Sequence, residues 1–283
     1  MLTVNDHDRD RAGLTYIYPV LSRRSKGLSV GINLNPNNAC NWRCIYCQVP
    51  GLVRGSAPVT DLQLLEQELK TFLTSVIKGD FYDIYQVPGE QRHIRDIAIS
   101  GNGEPTSSPV FDRAITTIGR VCATLQPQLE IARVLITNGS LINRSTVRRG
   151  LAEWKTQRGE IWFKLDSATQ SGRRAINDVS ISENTIRKHL SIAADYCPVW
   201  IQTCLFNRTD NDLDRNSEQQ AYIRLLQSAL DKGIKLQGVL LYGPARPTMQ
   251  PEAPLIVPLR LDEMQAFADN VHEATGLTVR VTP

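Results

Sequence analysis

No stretch of this 283-residue sequence approaches the roughly 20 apolar residues that a bilayer-spanning helix needs. The opening residues, MLTVNDHDRDRAG, lack the apolar run of a signal peptide, so a cytoplasmic location without a membrane partner is expected. A concentrated charge of one sign is also missing. Net charge is +3 with a pI near 8.5. The basic pairs Arg148-Arg149, Arg173-Arg174 and Arg187-Lys188 are scattered and read as solvated helix ends and loops. Composition alone makes no case for a nucleic-acid face. Internal repeats and low-complexity segments are absent, and nothing marks a domain boundary.

What is present is the balance of an ordinary globular protein, 41% hydrophobic and 22% charged. Strand-like runs at 28–35, 96–100, 131–138, 160–166, 199–206 and 235–242 alternate with helical patterns. The helices are expected at 61–78, 110–126, 141–154, 182–196, 217–232 and 261–275. Thr60 or Asp61, Ser182 with Thr185, and Ser217 suit helix starts, and Gly79 and Gly233 suit helix ends. This alternation implies right-handed βαβ units around a parallel sheet. Six units are too few for an eight-stranded barrel, so the expected fold is α/β, a partial (βα)6 TIM-like barrel. Residues 1–27 read as an N-terminal arm and 28–283 as one core domain. The proline-rich segment 243–258 is either a loop crossing the barrel mouth or a plain surface connection.

Three of six cysteines fall within eight residues, in NPNNACNWRCIYCQVPG after the first expected strand. Three thiolates spaced as Cys40, Cys44 and Cys47 can reach one side of an iron cluster and leave a fourth iron open. Structural zinc wants four ligands. No second cysteine pair exists, and His7, His93, His189 and His272 are remote from the loop in sequence. A disulfide framework does not suit a cytosolic chain. Cys122 shares a helical face with Ile115, Ile118 and Leu125 and reads as core. A second cluster on Cys122, Cys197 and Cys204 would have poor spacing.

The CxxxCxxC loop after the first strand, with Tyr46 before its third cysteine, resembles the radical S-adenosylmethionine (SAM) superfamily. The resemblance implies a [4Fe-4S] cluster on Cys40, Cys44 and Cys47 whose open iron binds SAM. It further implies reductive cleavage to a 5′-deoxyadenosyl radical that abstracts hydrogen from a substrate, with electrons from a flavodoxin- or ferredoxin-type donor. Gly103 and Glu104, in DIAISGNGEP, resemble the superfamily's Gly-Gly-Glu-like motif for the SAM amino group.

Other strand ends supply polar candidates. Asn138 suits either a hydrogen bond to SAM or an Asn-Gly turn. Lys164 and Asp166 alternate onto one strand face, as a structural charge pair or as groups touching cofactor and substrate. On the next strand Gln202 is a candidate SAM ligand, and Cys204 is a radical-proximal donor or a small buried hydrophobe. Tyr242 ends the last strand as a candidate cofactor contact or radical-quenching residue. Arg246 suits a carboxylate or phosphate, on the substrate or as the SAM carboxylate, or merely anchors its loop.

The segments YPVLSRRSKGLSVGINLNP, SGNGEPTSSP, FKLDSAT and VWIQTCLF, with the Ala-Arg-Pro after the last strand, resemble a narrower radical SAM group. That group includes the wybutosine-pathway tRNA enzyme and bacterial proteins of unassigned substrate. It implies a tRNA base as one substrate, beside a peptide, a protein or a small metabolite. The chain departs from the tRNA enzymes in having no cysteine within 1–39, and no motif makes Lys164 their pyruvate-condensing lysine. Basic residues in the arm are limited to Arg9, Arg11, Arg23, Arg24 and Lys26. A metal- or cluster-binding module without SAM chemistry is the reading from a different class.

Overall fold

A strand buried at every residue needs cover on both sides, and Gly27–Asn33 is such a strand. It anchors the first of two compact units in the computed structural model. The structure describes residues 2–3, 12–22, 27–125, 131–210 and 214–283; Arg9, Arg11, Arg23, Arg24 and Lys26 lie outside them. The first unit comprises 1–41, 55–136 and 143–160, and the second 42–54, 137–142 and 161–283.

In the first unit, strand β1 (Ile17–Ser22) runs antiparallel to β2 (Gly27–Asn33), with Ile17 opposite Ile32. β2 pairs in parallel with β3 (Ile94–Ser100), and β3 with β4 (Ala132–Thr137). Three helices cover these strands with apolar stripes: α1 (Leu62–Lys78), α2 (Phe111–Leu125) and α3 (Ser145–Thr156). Asp61 caps α1 by accepting from the backbone of Gln63 and Leu64, both at 3.0 Å. Buried Glu68 on α1 accepts from Thr15 N and Tyr16 N at 2.8 Å each, tying the helix to the approach to β1.

In the second unit, β5 (Glu160–Lys164, starting at the unit boundary), β6 (Val199–Cys204), β7 (Gly238–Tyr242) and β8 (Thr278–Thr282) lie side by side in parallel. Its helices are α4 (Gln170–Asn177), α5 (Glu183–Tyr196), α6 (Arg215–Asp231) and α7 (Leu261–Thr275). Ser182 caps α5 through Thr185 N. A short antiparallel ribbon joins Phe206–Arg208 to Ile256–Pro258.

All six expected strands are present, as β2 through β7, and every expected helix has a counterpart. The elements not expected include β1, β8, α4 and the ribbon. β1 lies within the segment read as an arm. β8 is half-exposed and only five residues long, while α4 is eight residues, largely polar, with an internal glycine, so none shows a clear period. The helix expected from Ser217 begins two residues earlier, because Asp214 takes the cap and Ser217 is one of its donors. Among the described residues, no helix is long and apolar enough to cross a membrane.

Candidate functional site

Cys44 and Cys47 lie on the loop 42–54 of the second unit, which α4 grips from one side. The last carbonyls of a helix have no intrahelical donors. Two of those on α4 are used by the loop: Arg43 N donates to Asn177 O (3.1 Å) and Ile45 N to Ile176 O (2.9 Å). The side chain of Asn177 reaches further, donating to Cys44 Sγ (3.2 Å) and to Asp166 Oδ2 (2.7 Å).

The proline-rich segment grips the loop from the other side. Thr248 Oγ1 donates to Ile45 O (2.8 Å) and Cys47 O (2.9 Å), Met249 N to Cys47 O (2.9 Å), and Gln250 Nε2 to Val49 O (3.2 Å). Arg43 forms a two-pronged pair with Glu252 at 2.6 and 2.9 Å. The segment is therefore fastened to the cysteine loop and is not a plain surface connection. Arg246 takes part in this fastening: its guanidinium donates to Gln48 Oε1 (2.5 Å), and its carbonyl accepts from Gln48 Nε2 (2.8 Å).

The strand ends add a charged, buried group. Lys164 lies opposite Gln202, and Cys204 opposite Tyr242, so in parallel register these residues project to one face of the sheet. Asp166 accepts from Tyr46 Oη (2.6 Å), Asn177 Nδ2 (2.7 Å) and Cys204 N (3.0 Å). Lys164 Nζ donates to Tyr242 Oη (3.0 Å) and stands 4.9 Å from the centre of the Tyr46 ring. Tyr46, Ile176 and Cys204 form a buried cluster against which Cys44, Phe206 and Tyr242 pack.

Burial opposes charge on Lys164, but Asp166, Tyr242 and Cys44 outweigh it and hold the ammonium's pKa well above the usual lysine range. Burial, reinforced by Asp166, pushes the Tyr46 phenol and the Cys204 thiol far up. Burial raises Tyr242 as well, against the opposing pull of Lys164. The arrangement is thus one fixed cation, one carboxylate with three donors, and neutral O–H and S–H groups. Beyond Asp166 and Cys204 opens a cavity of about 630 Å³, also lined by Phe206, Arg208, Glu218 and Tyr222. Gln202 is buried beside Lys164. Asn138 closes its own turn, accepting from Ser140 N (3.0 Å) and Ser140 Oγ (2.7 Å).

The remaining candidates belong to the first unit. After β3 the chain turns through Gly101-Asn102-Gly103-Glu104, held where Asn33 Oδ1 accepts from Asn102 N (3.0 Å). A Cβ on Gly103 would stand 2.0 Å from Ala39 O, so only glycine fits there. Glu104 is 3% exposed, and its Oε1 caps the following turn by accepting from Thr106 N (3.1 Å) and Thr106 Oγ1 (2.5 Å). Cys40 follows Ala39, and its carbonyl accepts from Gly55 N (2.9 Å). Cys40, Cys44 and Cys47 are all half-buried, whereas Cys122, Cys197 and Cys204 are buried. Burial pushes the Cys122 thiol up to about 11.

Among the described residues, no three His, Cys, Asp or Glu side chains are clustered as ligands of a metal ion. Within the second unit, Cys44 and Cys47 are half-buried thiols on a backbone braced from both sides, and Cys44 Sγ accepts an amide N–H, chemistry that suits iron ligands. Sequence reasoning missed Asn177, Thr248, Gln250 and the Arg43–Glu252 pair. Each meets the cysteine loop across more than 130 residues of chain, where no local pattern flags it.

No family model matches the chain. GTPase Obg of Brachyspira hyodysenteriae is 30% identical over 135 residues, 47% of this chain and 17% of that protein. UPF0026 protein MJ1312 of Methanocaldococcus jannaschii is 27% identical over 168 residues, 56% of this chain and 42% of that protein. The chain thus spans less than half the length of either curated relative. Among solved structures, native anSMEcpe with bound AdoMet superimposes with a TM-score of 0.56 at 14% identity, over 89% of this chain and 63% of that one. A second anSMEcpe structure, with AdoMet and a peptide, gives 0.55 at 14% identity, over 89% and 62%. At this identity the likeness is one of fold: the chain has the mixed α/β fold of the AdoMet-bound anSMEcpe structures.

Proposed function

We propose that the chain is a radical SAM enzyme built on a partial (βα)6 barrel, with Cys40, Cys44 and Cys47 as ligands of a [4Fe-4S] cluster. The observation that carries this reading is the CxxxCxxC spacing together with the bracing of Cys44 and Cys47, half-exposed on a backbone that α4 and the 243–258 segment fasten from two sides. The AdoMet in a structure of the same fold supports it. A cluster bound there would supply one electron to SAM, releasing methionine and a 5′-deoxyadenosyl radical.

The protein's part is to orient and to exclude water. Gly103 lets its turn lie against the backbone just before Cys40, and Glu104, Asn138 and Gln202 offer polar groups to the cosubstrate. Tyr46 and Asn177 fix Asp166, while Lys164 carries a permanent positive charge beside Tyr242. These charges are preset, so no reorientation is needed when the substrate enters. Burial keeps Cys204 a thiol, which could give a hydrogen atom to a substrate radical. The thiyl left behind would need one electron, from the flavodoxin- or ferredoxin-type donor, and one proton to return to the thiol. Arg246 would face the substrate only after leaving Gln48.

The test is anaerobic reconstitution with iron and sulfide, followed by dithionite and SAM, with analysis for 5′-deoxyadenosine. Formation by the wild type and loss in Cys44→Ala is the expected result. Bound zinc without sulfide would establish a metal-binding module instead. A substrate search begins with peptides, since the second anSMEcpe structure holds one, and with tRNA bases, by the resemblance to the wybutosine-pathway group. Steep salt dependence of tRNA binding would support the latter. The physiological electron donor is expected to be a flavodoxin or ferredoxin.

A further inference from the structure

We infer that Asn177 tunes the reduction potential of the cluster by donating its amide N–H to the sulfur of Cys44. The inference rests on the reading of Cys44 as a cluster ligand. Asn177 is the last residue of α4, 1% exposed, and 133 positions from Cys44 in sequence. Its place is over-determined. Its own carbonyl and that of Ile176 accept the backbone N–H groups on either side of Cys44, from Arg43 and Ile45. Its Nδ2 then divides between Cys44 Sγ at 3.2 Å and Asp166 Oδ2 at 2.7 Å. Asp166 is held in turn by Tyr46 Oη and Cys204 N, so the acceptor that aims the amide cannot swing away.

The physical consequence follows from charge. One-electron reduction adds a negative charge to the cluster, shared with its thiolate sulfurs. An N–H pointed at one of those sulfurs stabilises the reduced state more than the oxidised state and raises the potential. A rigid donor does so without reorganising on each electron transfer. Asn177 is a positioning residue and contacts neither SAM nor substrate in this assignment.

The test is a redox titration of the reconstituted cluster, followed by EPR, in wild type, Asn177→Leu and Asn177→Asp, without SAM. Leucine removes the donor with little change in size, and aspartate keeps the shape but replaces the donor with a carboxylate. Both variants are expected to be harder to reduce than wild type. For leucine, the expected change is about tenfold in the reduction equilibrium, which is about 59 mV for a one-electron couple. Aspartate, adding a negative charge, should shift it further in the same direction.

A leucine variant with a full cluster and a wild-type midpoint overturns the inference, even if aspartate shifts, because charge alone would then be responsible. Should the leucine variant not load, ENDOR decides the matter on the aspartate variant. Loss of one exchangeable proton coupling seen in the reduced wild type supports the bond, and its retention overturns it. Failure of the wild type itself to bind iron and sulfide would sink the cluster reading, a result distinct from an unshifted variant.

Discussion

Gly103→Ala tests whether the turn after β3 is held by space and not by glycine's backbone freedom. The added Cβ would lie 2.0 Å from Ala39 O, 2.9 Å from Ala39 C and 2.7 Å from Asn35 Nδ2. Side-chain carbons do not settle closer than 3.0 Å, so the Ala39 carbonyl must retreat by about 1 Å. Two costs follow. Overpacking against a fixed backbone costs about 1–3 kcal/mol. The bond from Asn35 Nδ2 to Ala39 O, now 2.8 Å, is lost or bent, for about another 1 kcal/mol.

The first unit should therefore lose about 2–4 kcal/mol, which lowers its thermal midpoint by about 5–15 °C. Calorimetry on the iron-free protein measures this independently of any chemistry. Gly55→Ala is the control, since its Cβ would meet the Ala39 Cβ at 3.4 Å, an ordinary contact, and should change stability by less than about 0.5 kcal/mol. Because Ala39 precedes Cys40, iron content after reconstitution should fall in Gly103→Ala alone. Equal midpoints for the two variants would refute the reasoning.

Gly139→Ala combines a left-handed φ of 68° with a Cβ 2.1 Å from the Phe163 ring. A loss of about 2–4 kcal/mol in urea unfolding is expected, and a loss below about 1 would show that the ring yields freely. Asp166→Asn leaves one acceptor where three donors converge, and it removes the carboxylate that helps keep Lys164 charged. It should cost about 2–4 kcal/mol by the same assay, whereas a variant as stable as wild type would mean that the network contributes nothing net. In native iron-free protein at pH 8, iodoacetamide should label Cys40, Cys44 and Cys47 and spare Cys122, Cys197 and Cys204, as read by peptide mapping. The sign follows from burial, which keeps the Cys122 thiol protonated until about pH 11. Labelling of Cys122 at the same rate as Cys44 would contradict its burial.

The parts of this fold that were legible in the sequence are those with strong local periods. The β2 run carries Leu28, Val30 and Ile32 in strict alternation and the α2 stripe repeats every three to four residues, so both announced themselves. α4 did not, because QSGRRAIN carries little apolar signal and forms where its carbonyl end meets the cysteine loop. At the candidate site, alternation along FKLDS predicts Lys164 and Asp166 on one strand face; β5 ends at Lys164, which lies opposite Gln202, and Asp166 follows two residues beyond the strand. Periodicity could not supply partners. That Asp166 meets Tyr46 and Asn177, or that Thr248 meets Cys47, depends on contacts between distant segments. Asn138 shows a further limit: Asn-Gly is a turn signal and a ligand signal at once, and its bonds to Ser140 describe the turn without excluding the other role.

The bracing of the cysteine loop also has a temporal side. Thr248 lies 203 residues downstream of Ile45, and Glu252 lies 209 downstream of Arg43. A growing chain that has just displayed Cys44 and Cys47 therefore lacks the whole scaffold that will shape their loop, since α4 also lies downstream, with Asn177 133 residues after Cys44. At about 5–20 residues per second, the last part of that scaffold emerges about 10–40 s later. Until then the thiols sit on an unfastened segment, open to oxidation and to stray metal ions. On the proposed reading, metal loading of this loop would be a late event in maturation, following synthesis of the segment fastened to it.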